Sequence, residues 1–149
     1  MKEVRIEFVL MVGSELVAEA SLPDPLPTLG SEAGIDGALR VNIDGHDFLG
    51  PRHWDRLDIV LRNLRDALDE ALAGDVSSAT FPDTRLELKV SPADNSHVTL
   101  WLEGNSVDVP ALALDKELNE CARRLLALQS SFCHTEALKA LEERISQQV

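Results

Sequence analysis

Tyrosine is missing from this chain, and four phenylalanines with two tryptophans bring the aromatic share to only 4% of 149 residues. The core must therefore be aliphatic, built from Leu, Val, Ile and Ala. Surfaces that stack bases or sugars draw their affinity from aromatic faces, so such a role is disfavoured. Cysteine is almost as scarce, with Cys121 and Cys133 alone. Both fall in a stretch of helical pattern, where continuous helix would hold them about 18 Å apart, beyond disulfide reach. They read as reduced thiols of a cytoplasm. Long apolar runs are lacking as well, and nothing approaches the ~18 residues of a membrane span. Lys2 and Arg5 ahead of Phe8–Val12 imitate a secretory leader, but Glu3 and Glu7 interrupt the basic part and the apolar run is short.

Positive charge is the remaining shortage. Lys and Arg total 14 against 26 Asp and Glu, a net charge of −12. The excess is concentrated in residues 1–50, with nine acids and three bases, and nearly vanishes over residues 111–149. Such a surface repels phosphate backbones and anionic lipid, and it attracts basic partners over long range. Nucleic acid and membrane are thereby set aside as partners. An apolar content of 44% and a charged content of 27% are ordinary globular values. The length suits a single domain over residues 1–149, with a core that needs no metal or disulfide.

Period-2 alternation marks three hairpins. Val4, Ile6, Phe8, Leu10 and Val12 alternate, and Leu16–Ala20 returns after Gly13-Ser14. Matching the apolar sides pairs Leu10 with Ala18 and implies a three-residue loop, Gly13–Glu15. Leu39–Ile43 and His46–Leu49 flank Asp44-Gly45, a strong two-residue turn signal that pairs Ile43 with His46 and Val41 with Phe48. Arg85–Val90 and Val98–Glu103 flank Pro92–Ser96, pairing Val90 with Val98 and Leu88 with Leu100. On the polar side of that hairpin stand Glu87, Lys89, Thr99 and Trp101.

Between the first two hairpins, residues 22–38 carry Pro23, Pro25, Pro27, Gly30, Gly34 and Gly37, which suit neither helix nor central strand. The segment reads as a flexible loop first and as a binding loop second. From Trp54 to Ala73 the period becomes 3.6. Leu57, Val60, Leu61, Leu64, Leu68, Ala71 and Leu72 share one face, and Asp55, Arg56, Arg62, Arg65, Asp66, Asp69 and Glu70 lie largely opposite, with Gly74 as the stop. Pro110 opens a further helical stretch through Leu114, Leu118, Cys121 and Leu125. A break is expected near 130–134, with Thr135 capping a terminal helix.

Chemistry-bearing residues are densest at Asp44, His46, Asp47, His53 and Asp55. Imidazole and carboxylate are transition-metal ligands, so His46, His53 and Asp47 are the metal candidates, although their spacing matches no closed motif. Asp44 is equally explained by its turn, and Asp55 by the dipole at the start of a helix. Cys133 and His134 are neighbours whose side chains diverge on a helix, and Cys121 falls on the apolar stripe. No glycine-rich phosphate loop is present. Trp101 is the outlier, an aromatic on the polar side of its strand, and partly exposed tryptophans among polar groups are typical interface anchors.

The expected fold is α+β, an antiparallel sheet of three hairpins with two to three amphipathic helices on one face. The expected function is a non-enzymatic acidic protein-binding domain, such as a bacterial inhibitor or immunity-type protein, engaging a basic partner. Its contacts would be Trp101, Glu87 and Glu103 on the sheet, with Asp24, Glu32 and Asp36 in the loop. No catalytic residue and no cofactor is assigned. The alternative is a small metal-dependent enzyme or sensor using His46 and His53 with nearby carboxylates. A homodimer through the Trp101 face is a third reading.

Overall fold

The computed structural model describes residues 2–147. Val4–Val12 forms β1, whose alternation sends Val4, Ile6, Phe8 and Leu10 into the core and leaves Arg5 and Glu7 outside. β2 (Glu15–Ala18) returns antiparallel with Val12 opposite Glu15 and Leu10 opposite Val17. The loop is therefore Gly13-Ser14, two residues rather than the three expected. Gly13 sits at φ +65°, the left-handed first position of a tight hairpin turn. Parity misled because β2 is an edge strand with half-buried or exposed side chains, where matching apolar sides stabilises little.

β3 (Asp36–Ile43) runs antiparallel along the other side of β1, from Val4 opposite Ile43 to Leu10 opposite Gly37. β4 (His46–Leu49) follows the expected turn, with Asp44 at φ 50° and Gly45 at φ 87°. Ile43 faces His46 as expected, but a bulge next to Val41 brings Leu49 opposite it in place of Phe48. Leu49 is thereby the fully buried residue and Phe48 only half-buried. β5 (Asp55–Arg56) joins the start of β3, so the helix expected from Trp54 begins two to three residues later.

That helix, α1 (Leu57–Leu72), buries the predicted apolar stripe except Leu72 in its last turn, which is 49% exposed, and ends at Gly74 with φ 100°. A second sheet follows, β6 (Ser77–Thr80), β7 (Glu87–Pro92), β8 (His97–Leu102) and β9 (Asn105–Pro110), each paired with the next. The β7–β8 hairpin keeps its expected faces, but its register is displaced by two residues, with Val90 opposite Leu100 and Lys89 opposite Trp101. β6 and β9 are additions to the sequence reading. The α+β class holds, and the hairpins divide between two antiparallel sheets instead of forming one.

α2 (Ala111–Leu126) starts directly after Pro110, and a short 3-10 turn at Gln129–Ser131 separates it from α3 (Glu136–Ser146). The break falls where it was expected, and Thr135 caps α3 by accepting the Leu138 amide. The inner faces of both sheets and the three helices share one aliphatic core. The 22–38 segment is more tightly held than expected. Leu22, Leu26 and Leu29 pack on the core, Leu29 donates its amide to the Ser131 carbonyl at 2.7 Å, and residues 36–38 belong to β3. No described helix is long and apolar enough to cross a membrane.

Candidate functional site

The outer face of the second sheet follows from strand parity. Leu88, Val90, Val98, Leu100, Leu102 and Val109 point inward, which leaves Lys89, Trp101 and Ser106 in one cross-strand row on the far side. Trp101 is 44% exposed there, so no helix or loop closes over its ring. The Lys89 ammonium lies 5.7 Å from the ring centroid, a contact that contributes about 0.5–1 kcal/mol at an exposed site. Beside this row the Thr99 hydroxyl donates to Asp108 Oδ1 at 2.6 Å. Glu87 stands exposed at the end of the same face, opposite Thr80.

The other expected contact residues are dispersed. Glu103 is engaged inside the molecule, accepting His53 Nε2–H at 2.8 Å and Arg52 Nη2–H at 3.3 Å. The His53 hydrogen bond, opposed slightly by burial and helped by Arg52, holds its carboxyl below the usual range. Asp36 lies in β3 of the first sheet and pairs with Arg56 at 2.9 Å, and the same guanidinium reaches Asp83 at 3.0 Å. Asp24 and Glu32 are exposed in the loop beside the first sheet. Trp101 and Glu87 thus share a face, whereas the loop acids belong to another part of the surface.

Folding gives four members of the His and Asp cluster partners of their own. Asp44 Oδ1 accepts the Glu3 amide at 2.7 Å and so braces its own turn. Asp47 accepts Asn42 Nδ2–H at 2.9 Å and Arg40 Nε–H at 3.0 Å, and these two bonds lower its pKa. His53 is buried; its Nδ1 accepts the Gly50 amide at 3.2 Å, so Nε2 carries the hydrogen given to Glu103. Asp55, expected at the helix start, is in β5 and fully buried. It accepts the Thr84 amide at 2.8 Å, the Thr84 hydroxyl at 2.9 Å and the Asp83 amide at 3.2 Å. Burial alone would raise its pKa, but these bonds and one from the Arg56 amide outweigh it and leave a net lowering. Asp44, His46 and Asp47 together line a cleft of about 380 Å³ with Phe48, Leu102 and Glu103, where the sheets meet. Among the described residues no three His, Cys, Asp or Glu side chains are placed to hold a metal ion.

Sequence reading missed a buried polar cluster. Helical periodicity put Arg65 on the wet side of α1, yet it is only 2% exposed because α2 and α3 pack over that shoulder. Its Nη1 donates to Asn119 at 2.9 Å, and its Nη2 reaches Asp69 at 2.8 Å and Asp115 at 2.6 Å. Arg144 of α3 grips Asp69 with two bonds of 3.0 Å. The four-residue spacings Arg65–Asp69 and Asp115–Asn119 were the available signal. The cluster joins three helices. Cys121 is likewise inert, since burial pushes its thiol up to about 12 despite partial relief from Arg124.

No family model, curated protein or solved structure matches this chain.

Proposed function

We propose that this chain is an acidic protein-binding domain, not an enzyme, which engages a basic protein partner through the outer face of its second sheet. The observation that carries this reading is Trp101, 44% exposed at the centre of a polar sheet face beside Glu87 and Asp108. A large rigid ring with few rotatable bonds is the kind of anchor on which interfaces concentrate their energy. Charge supports the same partner chemistry. Arg40, Arg52, Arg56, Arg65, Arg124 and Arg144 are all committed to carboxylates within the molecule. Asp24, Glu32, Asp66, Glu70, Asp75 and Glu87 are exposed and make no ion pair among the described residues, so their charge faces solvent. An inhibitor or immunity-type protein that captures a basic toxin or nuclease is the form this reading takes, because capture needs complementary charge, fast association and no chemistry.

Affinity purification with the wild type and with Trp101→Ala and Glu87→Lys in parallel tests the proposal. The expected result is a basic protein retained by the wild type, lost by both variants, whose association slows as salt rises from about 0.05 M to about 0.5 M. Equal retention by Trp101→Ala, or a salt-independent association rate, overturns it. A solution mass that rises with concentration and is normalised by Trp101→Ala would replace the foreign partner with a second copy.

A further inference from the structure

β1 is paired with β3 from Val4 to Leu10 on one side, but with β2 only from Val9 to Val12 on the other. β2 follows it from Val12 to Val9 and then stops at Ala18. The chain turns through a 3-10 segment, Glu19–Ser21, into Pro23, Pro25 and Pro27, which have no amide hydrogen and cannot continue a ladder. From Phe8 back to Val4, the side of β1 that β2 would have covered is therefore without a strand. Three side chains stand in for one. The Phe8 amide meets Glu19 Oε1 at 3.4 Å, the Ile6 amide meets Glu117 Oε1 at 3.4 Å, and Arg124 Nη2 donates to the Ile6 carbonyl at 2.7 Å.

Both amide contacts lie beyond the 2.7–3.2 Å of a good N–H···O bond, so two backbone donors at a strand edge are only weakly satisfied. Ile6, Glu7, Glu19, Ala20, Glu117 and Arg124 border a groove of about 390 Å³ along this edge. Its walls differ in origin. Glu117 and Arg124 are seven residues apart on α2, hence on one side of that helix, and Glu19 comes from the turn after β2. The two arginines of the groove are already committed, Arg5 to Glu3 at 2.8 Å and Arg124 to Glu19 at 2.6 Å. Glu7 and Glu117 have no ion pair among the described residues.

We propose that the Val4–Phe8 edge of β1 is a strand-addition site for an extended, lysine- or arginine-bearing segment of a partner protein. The segment lies antiparallel to β1, in line with β2, and covers about 17 Å, the length of five extended residues. Its carbonyls take the Ile6 and Phe8 amides from the two carboxylates, and its amide replaces Arg124 on the Ile6 carbonyl. Its cations then neutralise the displaced Glu19 and Glu117 together with Glu7. Main-chain bonds supply affinity and the acids select the sign of the side chains. This surface is separate from the Trp101 face, so the failure of either proposal leaves the other standing.

The test is a titration of isotope-labelled protein with an acetylated octapeptide of alternating Lys and Val, followed at the backbone amide resonances. Two further peptides carry methyl groups on the backbone nitrogens of the valines or of the lysines, and a fourth replaces Lys by Glu. The expected result is movement of the Ile6 and Phe8 amides, loss of affinity by about tenfold or more in at least one methylated peptide, and weaker binding of the Glu peptide. The proposal is overturned if the Ile6 and Phe8 amides stay in place, if neither methylated peptide loses affinity, or if the Glu peptide binds equally well. It is also overturned if those two amides shift with protein concentration alone, since the edge would then pair with a second copy.

Discussion

The Thr135 hydroxyl donates to Asp58 Oδ2 at 2.6 Å while its oxygen accepts the Leu138 amide at 3.2 Å. Asp58 Oδ1 accepts the Ile35 amide at 2.9 Å, so one buried carboxylate in the first turn of α1 fixes both the start of α3 and the approach to β3. Thr135→Val removes the cap and leaves a buried carboxylate oxygen without its donor. The expected loss is about 2–3 kcal/mol, against less than about 1 kcal/mol for Thr135→Ser, both read from urea-unfolding midpoints. Equal losses would mean that the hydroxyl contributes no more than the methyl that serine lacks, against the two bonds assigned to it.

Arg65 offers a second stability test. Arg65→Met strands Asp115 and Asn119 against a buried surface, and the expected cost is about 3 kcal/mol. The double variant Arg65→Met with Asp115→Leu should cost less than the sum of the single variants, because the half-exposed acid no longer stands without its cation. A double-mutant cycle in urea measures the coupling, and strict additivity would deny that the two residues interact.

Acid stability follows from Asp55 and Asp69. Burial raises both pKa values, but the Thr84 and Arg56 donors at Asp55, and Arg144 with Arg65 at Asp69, bring the net below the ordinary range. A carboxylate with a lowered folded-state pKa contributes stability above its unfolded value near about 4, and the contribution is lost as pH falls through the folded value. Unfolding free energy should decline from about pH 4 downward. Asp55→Asn should be less stable than the wild type at neutral pH and show a flatter decline. An unchanged acid limb in that variant would remove Asp55 from the account.

The two thiols should react very differently. Cys121 is buried with its pKa pushed up to about 12, and Cys133 is half-exposed. A disulfide reagent at neutral pH should titrate one thiol in the folded protein and two in denaturant. The Cys133→Ser variant should be silent until unfolded, and prompt reaction of that variant would place Cys121 at the surface.

Much of this was legible in the sequence. Strand periods, the Asp44-Gly45 turn, the α1 stripe and the Thr135 cap are local signals, and each appears where it was read. Registers were harder. Val90 faces Leu100 where Val98 was expected, so parity fixed the faces while a slide of two residues still matched apolar with apolar. β6 was hidden because Ser77–Thr80 buries only Ala79. β9 could have been found from Val107, Val109 and the Glu103-Gly104 turn, where both residues have left-handed φ. Trp54, where the helical period begins, is 45% exposed. Arg65 and Asp55 defeated a two-sided reading of α1 because their partners lie in other elements, and long-range packing leaves no local pattern. Of the metal candidates, Asp47 is engaged by Asn42 and Arg40 and His53 by Glu103, while His46 lines an open cleft.

Acid held over an open strand edge also bears on how such molecules behave when crowded among their own kind. Two of these edges brought together would set Glu19 and Glu117 of one molecule against the same residues of another. Ribbons of identical chains are thereby discouraged by repulsion, with no need for the edge to be sealed. Abundance and openness become compatible, and a visitor carrying the opposite charge is admitted by the feature that turns siblings away.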